Sequence, residues 1–145
     1  MKVSQKKLSL VRTSCLTAGL FFSSLALALP SQITFSNETS LSLGTSIAGL
    51  PGQGVAPNAT KSANYALVSM GCLYGNVIHN CGIEFTDRSN GAPVATVYIN
   101  AETATLTRPP LFHGAYGEEY DVTGWQTSPI EHIHIVKKNK SVNVA

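Results

Sequence analysis

The sequence around Asn90-Gly91 constrains the fold more than any other part of the chain. Two strand-like runs, CGIEF and VATVYI, flank the turn-rich segment TDRSNGAP. A three-residue connection through Ser89, Asn90 and Gly91, with the glycine in the left-handed conformation, would fix how the two runs pair. That register predicts three cross-strand pairs: Phe85 with Ala95, Ile83 with Val97, and Cys81 with Ile99. Since strand side chains alternate, all six lie on one face, and the segment predicts an antiparallel hairpin with an apolar side.

The neighbouring segments extend this apolar face. Lys61–Tyr74 is predicted to be a long strand that places Cys72 opposite Cys81, and Thr103–Thr107 is predicted to be the next strand of the same meander. The first of these strands would also pair Met70 with Ile83 and Val68 with Phe85. The predicted core consists of Val68, Met70, Ile83, Phe85, Val97, Ile99 and Leu106.

Short strand signals recur along the rest of the chain, with turn signals between them. Residues 33–35, 41–47, 120–125 and 130–136 have strand-like patterns, and no segment after residue 28 shows a sustained helical period. Closely spaced strands separated by turn residues favour a sandwich or a barrel. We therefore predict an all-β fold, an antiparallel β-sandwich of about seven or eight strands with one disulfide.

Residues 1–28 have the pattern of a secretory signal peptide. The basic residues Lys2, Lys6, Lys7 and Arg12 precede an apolar run at 16–27, and Ala26-Leu27-Ala28 forms an A-x-A cleavage site. The β-sandwich domain is then predicted at 29–136 and a polar C-terminal tail at 137–145. The apolar run is short for a membrane span, and no later segment is long enough to be one.

Removal of this leader changes the charge of the protein. Cleavage after Ala28 removes four basic residues and no acidic one, so the formal net charge falls from +2 to −2. The basic character of the precursor therefore gives no support for a nucleic-acid partner. The leader predicts an exported protein, either periplasmic or secreted.

Two cysteines, Cys72 and Cys81, remain after cleavage, because Cys15 lies within the leader. An even number of cysteines on one face, in an oxidising compartment, favours a structural disulfide. The bond would stabilise the fold by about 2–3 kcal/mol in the chain-entropy model. A metal-binding pair or two free thiols is the alternative, although zinc sites usually bring cysteines at closer spacing.

The segment Leu111–Trp125 combines aromatic rings with carboxylates. Rings supply contact area and carboxylates supply acceptors, which suits a protein or glycan ligand. Glu118 and Glu119 would point apart in an extended segment, so they do not resemble the carboxylate pair of a glycosidase. The alternative is a loop whose aromatic side chains cap the core. The predicted binding residues are Phe112, His113, Tyr116, Glu118, Tyr120 and Trp125.

His132 and His134 alternate with core-facing isoleucines on a predicted strand, so both project to one side. They could ligate copper or zinc if a third ligand lay nearby, and the alternative is a pair of solvent-facing histidines. The chain has no G-x-S-x-G, H-E-x-x-H or phosphate-binding glycine motif. The sequence therefore favours a non-enzymatic binding module without a cofactor, and a copper- or zinc-binding protein is the alternative.

The leader, the segment ITFSNETSLSLG and the disulfide-clipped sheet resemble small exported β-sandwich proteins of Gram-negative bacteria. This resemblance implies a periplasmic or secreted location. It assigns no activity and no functional residue.

Overall fold

Within residues 28–139, two β-sheets of four and six strands form a sandwich-like fold with two short helices. The computed structural model describes residues 28–139, so the predicted signal peptide up to residue 27 and residues 140–145 of the predicted tail lie outside the described residues. The elements in chain order are β1 (Gln32–Glu38), β2 (Leu43–Ile47), β3 (Leu50–Pro51), β4 (Ala59–Asn64), α1 (Tyr65–Tyr74), β5 (Cys81–Asp87), β6 (Ala92–Asn100), β7 (Thr105–Leu106), β8 (Leu111–Phe112), α2 (Tyr116–Glu119), β9 (Tyr120–Thr123) and β10 (His132–Lys137).

The strand order is β4-β1-β10-β9 in the smaller sheet and β3-β2-β5-β6-β7 in the larger, where β8 also pairs with β6. The predicted sandwich is confirmed, with two differences in detail. The described residues contain ten strands rather than about seven or eight, because three of them are only two residues long. In addition, β1 and β10 pair in parallel, with Phe35 opposite Ile133. Turn signals predict antiparallel neighbours and carry no information about strands so far apart in the chain.

The central hairpin has the predicted register. Phe85 pairs with Ala95, Ile83 with Val97, and Cys81 with Ile99. The connection itself is longer than predicted, because Asp87 pairs with Ala92 and four residues lie between them. The register shifts between Phe85 and Thr86. This irregularity offsets the longer turn, so the apolar face is preserved.

The core lies between the inner faces of the two sheets. Phe35 of β1 and Phe85 of β5 meet there edge to face, with their ring centroids 5.7 Å apart. Five of the seven predicted core residues are buried and Leu106 is half-buried, so most of the predicted core is confirmed. Met70 is the exception, since it is 49% exposed.

The exposure of Met70 follows from α1, which replaces the second half of the predicted long strand. The Asn64 side chain caps the helix by accepting a hydrogen bond from the Ala66 backbone N–H at 2.8 Å. Beyond the cap, Tyr65, Val68 and Cys72 are buried at the three- and four-residue spacing of a helix. The predicted strand Lys61–Tyr74 is therefore wrong after Asn64, and so is the predicted pairing of Val68 and Met70 with β5. The part that is a strand, β4, pairs with β1.

The predicted disulfide between Cys72 and Cys81 is confirmed, although it joins a helix to a strand and not two strands. The two Cα atoms are 5.4 Å apart and both cysteines are fully buried. Closing this short loop contributes about 2–3 kcal/mol in the chain-entropy model. The bond therefore anchors the C-terminal half of α1 to the larger sheet.

Candidate functional site

A cavity of about 540 Å³ lies at the side of the sandwich, where α1 packs beside the edges of both sheets. Its walls come from β4, the edge strand of the smaller sheet, from the β2–β3 hairpin at the edge of the larger sheet, and from α1. Phe35, Val55 and Val68 line it and are buried, so they form its floor. Its volume lies in the range of about 300–1,000 Å³ that is common for small-molecule sites.

The rim of the cavity is apolar and exposed. Leu50, Leu67, Met70 and Tyr74 line the opening and are 50%, 65%, 49% and 80% exposed. Single exposed apolar side chains are ordinary on protein surfaces, whereas a cluster of large ones around a concavity marks a binding site. We define these four residues as the apolar rim.

Among the residues of 28–139 that line the cavity, Lys61 is the one charged side chain. It lies opposite Phe35 in the β1–β4 pair, and directly opposed side chains share a face, so Lys61 projects from the inner face of the sheet. Thr60 and Ser62 on either side of it face outward, where their hydroxyls bond to Ser36 and Thr34 at 3.0 and 3.1 Å. Within residues 28–139, the ion pairs that form involve histidines and not Lys61.

Two polar side chains at the cavity wall already have partners. The Thr45 hydroxyl donates to the Gln53 carbonyl at 2.6 Å, and the Asn64 side chain is used in capping α1. Lys61 differs from both, because its ammonium group has no acceptor among the described residues. The wall therefore offers apolar surface and a single uncommitted positive charge.

The aromatic residues of the predicted binding segment mostly contact the rest of the protein. Phe112, Tyr116 and Trp125 pack against the core cluster, and Tyr120 is buried. The Trp125 indole N–H donates to the Val122 carbonyl at 3.0 Å. His113 Nε2 lies 2.9 Å from the Thr96 hydroxyl.

Tyr116 and Tyr120 are brought together by α2, with their ring centroids 6.3 Å apart. Together with Leu41 and Glu119 they line a shallow depression of about 230 Å³, below the usual size of a ligand site. Glu118 is exposed on α2. Burial, followed by the nearby carboxylate of Glu119, raises the pKa of the Tyr120 hydroxyl. Ligand binding by the six predicted residues stays a prediction.

The Tyr116 hydroxyl also donates to Asp87 Oδ2 at 3.1 Å. Asp87 Oδ1 accepts from the hydroxyl of Ser89 at 2.7 Å and from its backbone N–H at 2.9 Å. The bonds from Ser89, and more weakly the one from Tyr116, lower the pKa of Asp87 below its ordinary value. These bonds tie the predicted binding segment to the hairpin turn.

His132 and His134 project from one face of β10, with ring centroids 6.1 Å apart, while Ile133 and Ile135 are buried as predicted. His134 Nδ1 contacts Glu38 Oε1 at 3.2 Å. Over residues 28–139, no cluster of three or more His, Cys, Asp or Glu side chains could hold a metal. The copper or zinc alternative stays a prediction, and the described residues supply no third ligand for it.

The sequence pattern does not predict the cavity, because it predicts a strand where α1 lies. Two signals could have revealed it. Asn64 is a favourable N-cap, and Tyr65, Val68 and Cys72 follow it at helical spacing. Moreover, no lysine, arginine, aspartate or glutamate lies between Lys61 and Glu84, although much of this stretch is exposed.

Comparison with solved structures finds a similar fold. The crystal structure of the Legionella pneumophila type II secretion system substrate NttC matches with a TM-score of 0.57 and 22% sequence identity, over 75% of this chain and 99% of that chain. At this identity, the match shows the fold alone. A comparison with curated proteins finds no match. None of the helices described in residues 28–139 is long and apolar enough to cross a membrane.

The family described as "T2SS substrate NttC" matches residues 7–124, well over half of the chain. A family of type II secretion system substrates confirms the exported location that the leader predicted. The chain therefore belongs to the T2SS substrate NttC family.

Proposed function

We propose that this exported protein is a non-enzymatic binding module that holds one small, mainly apolar molecule in the cavity beside α1. The observation that carries the proposal is the combination of a buried apolar floor with the exposed apolar rim. A soluble protein gains stability by burying large apolar side chains, so four of them exposed around one opening imply an occupant.

The walls of the cavity are well supported. Gly71 of α1 lies so close to β2 that a Cβ atom there would stand 3.2 Å from Ile47 Cγ2, which shows that the helix packs tightly on the strand. The disulfide holds the next residue of α1 against β5. A site with walls fixed in this way is largely formed before its ligand arrives, which reduces the entropic cost of binding.

The proposal can be tested with the uncharged fluorescent probe N-phenylnaphthylamine. The probe should bind the mature protein with an increase in fluorescence. Ala63 lies on the inner face of β4 and lines the cavity, so Ala63→Phe should fill it and weaken binding at least about tenfold.

Thr60→Phe is the matched control, since it adds the same ring to the outer face of the same strand. It should bind the probe like the unmodified protein. Circular dichroism would establish that both variants are folded. Absence of probe binding by the unmodified protein, or equal binding by folded Ala63→Phe, would contradict the proposal.

A further inference from the structure

We infer that the ligand is a single-chain amphiphile whose anionic head group binds Lys61 while its hydrocarbon chain fills the cavity. The inference rests on the function proposed above and adds the chemical class of the ligand. Its basis is the position of one positive charge on a wall that is mainly apolar and, among the described residues, carries no carboxylate.

The location of Lys61 predicts where the head group and the hydrocarbon chain of such a ligand would bind. Lys61 is opposite Phe35, which is buried at the cavity floor, but Lys61 itself is exposed. A flexible lysine stem can lie along apolar surface and keep its ammonium group at the water-exposed end. The head group of the ligand would therefore sit at the opening beside Lys61, and its chain would run inward toward Phe35 and Val68.

The charge favours an anionic head over a neutral or cationic one. None of the described residues that line the cavity carries a carboxylate, so none of them competes for Lys61. A carboxylate or phosphate at the opening would accept charge-assisted hydrogen bonds from the ammonium group, which are stronger than bonds between neutral groups. A cationic head would meet repulsion without compensation.

Lys61 also lies on an edge strand, where an inward-pointing lysine discourages pairing with a second chain. The two roles make different predictions. Edge protection requires that loss of the charge promotes self-association and leaves ligand affinity unchanged. Head-group binding requires that loss of the charge weakens the binding of anionic ligands only.

The test uses three probes with the same hydrocarbon chain: dodecanoate, dodecanol and dodecyltrimethylammonium. Titration calorimetry below the micellar concentrations would give the affinity of each for the mature protein. Dodecanoate should bind most tightly.

Lys61→Met keeps the length and apolar character of the stem, and it should weaken dodecanoate binding about tenfold, equivalent to about 1.4 kcal/mol, with little change for dodecanol. Lys137→Met, on β10 and away from the cavity, should leave all three affinities unchanged.

The outcomes separate this inference from the proposed function. Equal affinity for dodecanoate and dodecanol, unchanged in Lys61→Met, would overturn the role of Lys61 but leave the cavity as a binding site. Preferential binding of dodecyltrimethylammonium would also overturn it. Self-association of Lys61→Met with unchanged dodecanoate affinity would assign Lys61 to edge protection alone. Failure of all three probes and of N-phenylnaphthylamine would instead refute the proposed function.

Discussion

Two apolar regions of this molecule differ in whether their side chains have partners. In the segment 112–125, the rings of Phe112, Tyr116 and Trp125 pack against the core, and polar atoms of Tyr116 and Trp125 form hydrogen bonds inside the protein. On α1, Leu67 and Leu73 are 65% and 64% exposed. Both regions are rich in large apolar residues, but only in the first do most of these side chains pack against the rest of the protein.

The difference shows why composition alone is a poor guide to a binding site. Aromatic residues beside carboxylates are expected at recognition surfaces, yet Tyr116 uses a carboxylate, Asp87, as an internal partner. The cavity beside α1, as far as residues 28–139 form it, is lined by one lysine and no acidic residue. The apolar side chains of α1 that stay exposed among the described residues are the better candidates for contact with a ligand.

The largest expected effect comes from Trp125. Trp125→Ala removes a half-buried ring and the hydrogen bond to the Val122 carbonyl, and should lower the free energy of unfolding by about 3 kcal/mol, the lower end of the range for buried tryptophans. Urea unfolding followed by circular dichroism measures it. The variant should bind N-phenylnaphthylamine normally wherever it is folded. If Trp125→Ala is as stable as the unmodified protein but no longer binds a ligand, the segment 112–125 would be the functional surface.

A smaller effect is expected at the Tyr116–Asp87 contact. Tyr116→Phe should lower the free energy of unfolding by about 1 kcal/mol at neutral pH, because it removes one hydrogen bond to a carboxylate. The pKa of Asp87 is lowered in the folded protein, so its contribution is fully present above the ordinary aspartate pKa of about 4 and is lost as the pH falls through the lower folded value.

The pH dependence provides the control for this contact. Asp87→Asn should therefore destabilise the protein at pH 7 and have a smaller effect once the carboxyl of the unmodified protein is protonated. The free energy of unfolding of Asp87→Asn and of the unmodified protein would be measured at successively lower pH. A difference in stability that does not change with pH would show that the charge of Asp87 is unimportant.

The smallest effect on stability is expected on α1. Leu67 and Leu73 are almost equally exposed, but only Leu67 lines the cavity. Leu67→Ala and Leu73→Ala should each change the free energy of unfolding by less than about 0.5 kcal/mol, as is usual for exposed positions. Only Leu67→Ala should weaken the binding of N-phenylnaphthylamine. Equal weakening by both variants would indicate a broad hydrophobic surface and not a defined cavity.

Local signals predicted the parts of the fold that depend on neighbouring residues. The β5–β6 register followed from the alternation of apolar residues about Asn90-Gly91, and it was correct even though the turn is one residue longer. The cysteine count predicted the disulfide correctly, but the geometry proposed for it was wrong, because the exposed apolar residues Leu67, Leu73 and Tyr74 obscure the helical spacing of the buried ones.

The candidate site was harder to predict than the hairpin. The cavity brings Phe35, Ile47, Lys61 and Leu67 together from four separate elements, and no short motif encodes that arrangement. The sequence also does not decide the role of Trp125. A tryptophan that caps the core and one that binds a ligand can have the same neighbours in the sequence. Only the contacts of the folded chain distinguish them.

The parallel pairing of β1 with β10 affects the order in which the parts of the protein can fold. Phe35, near the start of the described residues, lies beside Ile133, near their end. Among the described strands, β9 pairs with β10 alone. The smaller sheet therefore cannot close until residues 132–137 are available, and bringing such distant segments together costs loop-closure entropy and slows folding. β1 can pair with β4 early, but its other edge stays open until β10 is available. The smaller sheet is therefore expected to form later in folding than the β5–β6 hairpin, whose two strands are close in the chain.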